Sequence, residues 1–242
     1  MMRSGNPVLK NNTFNRSRDQ GEAMTIGGTV AKTFFLFLFL LGSSIYTWYR
    51  YAQGEDVYTM MVIGAIGGLI FALITTFFHR AAPITGPIYA TLEGFAIGGI
   101  SAILEARYPG IVIQAAALTF SVMGVLLFLY AARIIKVTKN FRLMIVSATL
   151  AIFVVYIIDL GLNLFLNANV PYLHSNGLVG IGISLFIVAI AALNLVLDFD
   201  FIENGANRGA PKHLEWYGAF GLMVTLVWLY IEILHLLQKL RR

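Results

Sequence analysis

The sequence predicts an all-α membrane protein, a bundle of seven transmembrane helices. Three observations carry that prediction. Of 242 residues, 58% are hydrophobic and only 12% charged, against about a quarter charged in a soluble domain. The apolar residues fall into seven long stretches. The basic residues lie in the tail, in the connections or at span ends. Such a chain cannot clothe a water-soluble globule. It is too hydrophobic for disorder, lacks the dense basic face of a nucleic-acid binder, and has no cysteine for a disulfide scaffold.

A helix needs about 20 mostly apolar residues to cross the hydrocarbon core. The first stretch, Gly28–Tyr49, ends among Tyr46, Trp48, Tyr49 and Tyr51, the composition of an interfacial aromatic belt. The second, Tyr58–Phe78, carries Gly64, Gly67 and Gly68, which suit close helix contact. The third, Pro87–Ile103, follows Pro83, contains Glu93, and has Gly94 and Gly98 in GxxxG spacing; a tilted or re-entrant helix fits as well as a straight span. Ile111–Ala131 and Leu143–Leu166 follow, the latter holding Asp159. Leu178–Asp198 carries Gly180 and Gly182, also read as packing positions. Trp216–Leu240 opens on Trp216 and Tyr217 and holds Glu232 and His235. The alternating pattern of a transmembrane β-barrel is absent.

Residues 1–25 are polar and without apolar periodicity, and read as a mobile cytoplasmic tail; residues 26–242 form the seven-span domain. The polar stretch is too long for the n-region of a cleaved signal, so the first apolar run reads as a retained span. Most of the seventeen Lys and Arg lie in the tail and around Arg80, Arg133–Arg142 and Arg208–Lys212. By the positive-inside rule this sets the amino terminus in the cytoplasm, in the cell membrane. Seven spans then put the carboxy terminus outside, which Lys239, Arg241 and Arg242 argue against; a hairpin in the last segment, or a span count differing by one, would return them to the cytoplasm.

Acids behave differently from bases. Glu93, Asp159 and Glu232 lie well inside spans, and Asp198 lies at the inner end of the sixth. A charged group at a helix centre costs about 2.5–3.5 kcal/mol, so such residues turn to the bundle interior and mark ion or proton paths. An interior with acids and no bases suits cations or protons. The bland alternative is a neutral carboxyl hydrogen-bonded to a neighbouring helix, which burial favours; for Asp159, Asn163 one turn on is the obvious partner. His235 follows Glu232 by three residues on the same helix face, a pair that can titrate near neutral pH. No zinc-ligand spacing, nucleophile elbow or phosphate-binding loop is present, so an enzyme is not expected.

Leu197-Asp198-Phe199-Asp200-Phe201-Ile202 and Trp228-Leu229-Tyr230-Ile231-Glu232-Ile233-Leu234 resemble segments that close the sixth span and fill the seventh in the Bax inhibitor-1/YccA family. His79-Arg80 followed by Thr91-Leu92-Glu93-Gly94 is also similar to that family, and Arg3-Ser4-Gly5-Asn6-Pro7-Val8-Leu9 resembles a bacterial branch of it. The resemblance implies seven helices with the last one central, and a pH-sensitive calcium leak. It implies that Asp198 and Glu232 form a proton-sharing carboxylate pair that senses pH and transiently meets Ca²⁺, that Arg80 latches the closed state, and that His235 stands where the family has Asn. The chain departs from the pattern in having Glu at the second acid, Asp200 in place of Gln, and a longer loop over Asn204–His213.

Helix geometry questions that pair. At about 1.5 Å per residue, Asp198 lies about 8 Å and Glu232 about 24 Å above the inner end, a gap of about 16 Å. Contact requires tilt or a seventh helix that starts in the cytoplasm. Asp159 and Glu232 instead fall at similar depth. The expected arrangement is a ladder, with Asp198 inner, Glu93 near the middle, and Asp159 and Glu232 outer. The expected function is a cation leak gated by protonation, with Ca²⁺ as cargo, no resident cofactor, no nucleic-acid partner, and one copy of the chain as the unit. The rival reading is a non-conducting regulatory membrane protein that binds a membrane protease or another partner.

Overall fold

The computed structural model describes residues 23–171 and 173–241. It contains seven helices long and apolar enough to cross a membrane: α1 Ile26–Ala52, α2 Tyr58–Phe77, α3 Ala82–Arg107, α4 Ile111–Ala131, α5 Lys139–Leu166, α6 Leu178–Asn207 and α7 Leu214–Leu240. A 3₁₀ turn, His79–Ala81, joins α2 to α3. The third span is therefore neither re-entrant nor short. Pro83 lies in the first turn, where a missing N–H costs nothing, and Pro87 is accommodated inside a continuous helix.

Contacts between helix ends fix the alternation. The start of α1 meets the start of α7 through Lys32 and Glu215. The end of α4 and the start of α5 meet the end of α6, through Arg133–Glu203 and Arg142–Asp200. At the opposite end, Lys239 of α7 donates to Gly180 of α6, and Arg241 donates to Tyr108 and Pro109 between α3 and α4. We call the first the tail end and the second the far end. Because α7 is one unbroken helix, Lys239 and Arg241 lie at the far end, and the hairpin alternative falls.

α7 is central. It packs against α1, α3, α4 and α6, and half of its most apolar stretch is buried, against 11% for α5, which lies at the edge on α6. Phe34, Leu73, Phe128, Leu150 and Phe165 point outward and are exposed, a surface that hydrocarbon can cover and water cannot.

Small residues decide the closest approaches. A β-carbon on Gly98 would stand 2.5 Å from the Ser44 carbonyl oxygen, so the GxxxG face of α3 lies directly on α1. Gly64 packs the same way on the Leu92 carbonyl of α3. Gly180 meets only Ser175 of its own loop, and Gly182 has no neighbour within 4 Å, so these two do not mediate helix packing.

Residues 1–22, with the stretch Arg3–Leu9 and most of the expected tail, lie outside the described residues. Ala23–Thr25 belong to the fold. Met24 N–H donates to the Ala210 carbonyl at 2.7 Å, Ala23 bridges to Pro211, and Met24 is buried against Gly205 and Gly218.

Candidate functional site

Asp198 sits on α6 with its carboxylate turned to α7. Its Oδ1 lies 3.8 Å from where a β-carbon of Gly221 would stand, and its Oδ2 is buried without a hydrogen-bond partner among the described residues. Thr225, one turn beyond Gly221, donates to the Gly221 carbonyl at 3.2 Å. Tyr217, one turn before, lies within electrostatic range of Asp198 and meets the His79 ring edge to face at 4.6 Å between centroids. Thus Gly221 and Thr225 hold the α7 positions opposite Asp198.

Glu232 is eleven residues beyond Gly221, about 16 Å along the helix at about 1.5 Å per residue. It is 3% exposed, and one oxygen, Oε1, accepts from the Tyr156 hydroxyl of α5 at 2.7 Å and from the Trp228 indole at 3.1 Å. The Glu232 side chain lines a cavity of about 770 Å³ between α5, α6 and α7, together with Tyr156, His174, Trp228, His235 and Lys239. The Asp198–Glu232 pair implied by resemblance is not formed, because the register of α6 on α7 sets the two acids at different levels.

The other expected site residues disperse. Glu93 turns toward α2, with Oε2 2.6 Å from where a Gly68 β-carbon would stand, and has no hydrogen bond among the described residues. Asp159 accepts from Val170 N–H at 2.8 Å and pairs with His174 at 2.7 Å. Asn163 bonds Asn169 instead of Asp159. Asp159 and Glu232 do meet one locality, since His174 and Glu232 line the same cavity, but they share no hydrogen bond. His235 is exposed at that cavity. Arg80 is exposed and makes no ion pair among the described residues; the residue of its turn that meets α7 is His79. No group of three His, Asp or Glu side chains able to hold a metal occurs among the described residues.

Sequence reasoning missed one buried charge. Glu215, one residue before the apolar stretch that begins at Trp216, is 1% exposed. It pairs with Lys32, and its Oε1 accepts from both the Thr25 N–H and hydroxyl at 2.9 Å. Thr25 also caps α1 by accepting from Gly28 N–H at 2.9 Å. A β-carbon at Gly28 would stand within 2.6 Å of the Glu215 carboxylate, so a side chain there would have to displace that carboxylate. Trp216 beside Glu215 also carries Lys32 over its ring.

A second recess, about 570 Å³ and almost wholly carbon-lined, lies between α1, α3, α4 and α7. Its back wall holds Ser101 and Tyr230, hydrogen-bonded to each other at 2.8 Å.

A seven-helix bundle with an apolar outer surface and carboxylates in its interior defines a multi-pass integral membrane protein. The chain belongs to the Bax inhibitor 1 like family, whose model matches residues 6–242. Comparison with curated proteins and with solved structures gave no match.

Proposed function

We propose that this membrane protein is a pH-sensitive cation leak, with Ca²⁺ as cargo, lying in the cell membrane with its amino terminus in the cytoplasm. The observation that carries this reading is two interior carboxylates, each with an oxygen that has no hydrogen-bond partner among the described residues: the buried Asp198 Oδ2 at the tail-end level, and Oε2 of Glu232, whose side chain lines the far-end cavity. A deprotonated carboxylate with an unused oxygen attracts a hard cation. A protonated one is neutral and does not. Raising pH therefore opens the path and lowering it closes the path.

The gate differs from a proton-sharing pair. Each acid acts alone, and the ion passes from the far-end cavity to the Asp198 level along the inner face of α7. Flux of Ca²⁺ into liposomes holding the full chain tests the reading, with Asp198→Asn and Glu232→Gln as variants. Equal, pH-independent flux in all three would overturn it.

The second reading, a non-conducting regulator of a membrane partner, draws on the carbon-lined recess between α1, α3, α4 and α7, which suits a partner's transmembrane helix. Partner binding by a chain without flux would favour it.

A further inference from the structure

The far-end cavity has a chemistry of its own. Its volume, about 770 Å³, exceeds what one metal ion needs and falls in the range of small-molecule sites, about 300–1,000 Å³. Three aromatic rings line it: Phe153 and Tyr156 of α5 and Trp228 of α7. Among them lies Glu232, 97% buried by its 3% exposure. Both donors to Glu232, Tyr156 and Trp228, converge on Oε1. Oε2 has no hydrogen-bond partner among the described residues.

Other charges at the cavity are already engaged. Lys239 Nζ donates to the Leu173 carbonyl at 2.6 Å, the Gly180 carbonyl at 3.2 Å and Ser184 Oγ at 2.8 Å. An ammonium has three protons, so none remains for a ligand. His174 is held by Asp159 at 2.7 Å, and His235 lies exposed at the edge. The cavity thus offers aromatic faces and one carboxylate oxygen with no hydrogen-bond partner among the described residues, while the Lys239 charge, within electrostatic range of Glu232, is tied by its N–H groups to α6 and the loop before it. Aromatic faces beside an unmatched carboxylate are the surroundings that organic ammonium ions seek.

We propose that the cavity between α5, α6 and α7 is a binding site for a small organic cation of the ammonium class, with Glu232 Oε2 as its counter-charge and Phe153, Tyr156 and Trp228 as its walls. The site needs no ion gradient and does not depend on the leak reading. An occupant there would cover Glu232 from the far end.

The test uses the purified full chain in detergent and the probe benzyltrimethylammonium, whose charge is the same at every pH. Isothermal titration should show saturable binding that benzenesulfonate, an anion of similar size, does not reproduce. Glu232→Gln should weaken binding about tenfold or more, as loss of a charged partner does. Phe153 is 57% exposed, so Phe153→Ala keeps the fold and should weaken binding several-fold even if Glu232→Gln does not fold. No saturable binding by the folded wild type up to about 10 mM, a range reaching beyond weak millimolar affinity, would overturn the proposal. So would equal binding of the sulfonate, or wild-type affinity in Phe153→Ala together with any folded Glu232→Gln.

Discussion

Asp198 of α6 faces Gly221 of α7, with the carboxylate Oδ1 3.8 Å from the place a glycine β-carbon would occupy. That register removes the second acid from Asp198 and leaves its Oδ2 without a hydrogen-bond partner among the described residues. The site can be converted by one substitution. Gly221→Asp puts its β-carbon in ordinary contact with Asp198 and so a second carboxyl beside it. Two adjacent carboxylates share a proton and titrate as a pair. The pH profile of Ca²⁺ flux should gain a further step, and a wild-type profile in a folded Gly221→Asp would count against the facing geometry.

Asp159 should not take part in gating. Its oxygens are committed to Val170 N–H and His174. Asp159→Asn is expected to leave the pH profile of flux unchanged and to speed hydrogen exchange over residues 167–171, because one acceptor of that loop is lost. A shifted flux profile would put Asp159 back on the path.

The tail end is held by Glu215. Removing one member of a buried ion pair costs about 3–5 kcal/mol, and Lys32 is partly exposed at 18%, so Glu215→Ala should cost about 3 kcal/mol. Thermal unfolding in detergent measures it. Because the loss comes from a stranded charge, Lys32→Met combined with Glu215→Leu should destabilise less than Glu215→Ala alone.

The closest helix contact has its own test. In Gly98→Ala the new methyl meets the Ser44 backbone at 2.5 and 2.7 Å, and backbone cannot swing aside as a side chain can. Overpacking of this kind costs about 1–3 kcal/mol. Gly124, with nothing within 4 Å, is the control: alanine there should be neutral or stabilise by up to about 1 kcal/mol. Equal effects at the two positions would contradict the packing.

Much of this fold was legible because the membrane imposes length and composition on each span. All seven helices follow from apolar runs, and the GxxxG spacing of Gly94 and Gly98 marked a close contact on α3, though not that its partner is α1. The third span was drawn too short because Pro83, Pro87 and Glu93 interrupt its hydrophobicity, whereas the helix absorbs one proline in its first turn and one inside. The interior acids were legible as a class. Their grouping was not, since it depends on how α6 slides along α7. Counting residues did indicate that Asp198 and Glu232 differ in depth by about 16 Å. Glu215 and Lys32 are 183 residues apart, each at a span margin, and nothing local marks them as partners. The donors to Glu232 are likewise split: Trp228 is one turn away, but Tyr156 comes from α5.

The central claim is that Asp198 and Glu232 act as separate carboxylates on one cation path. Ca²⁺ entry into liposomes, followed from pH 5 to pH 8 for wild type, Asp198→Asn, Glu232→Gln and the double variant, tests it most directly. The account predicts flux that rises with pH in the wild type, a several-fold loss with a flattened pH response in each single variant, and a further loss in the double. Wild-type flux and pH response in both single variants would contradict it.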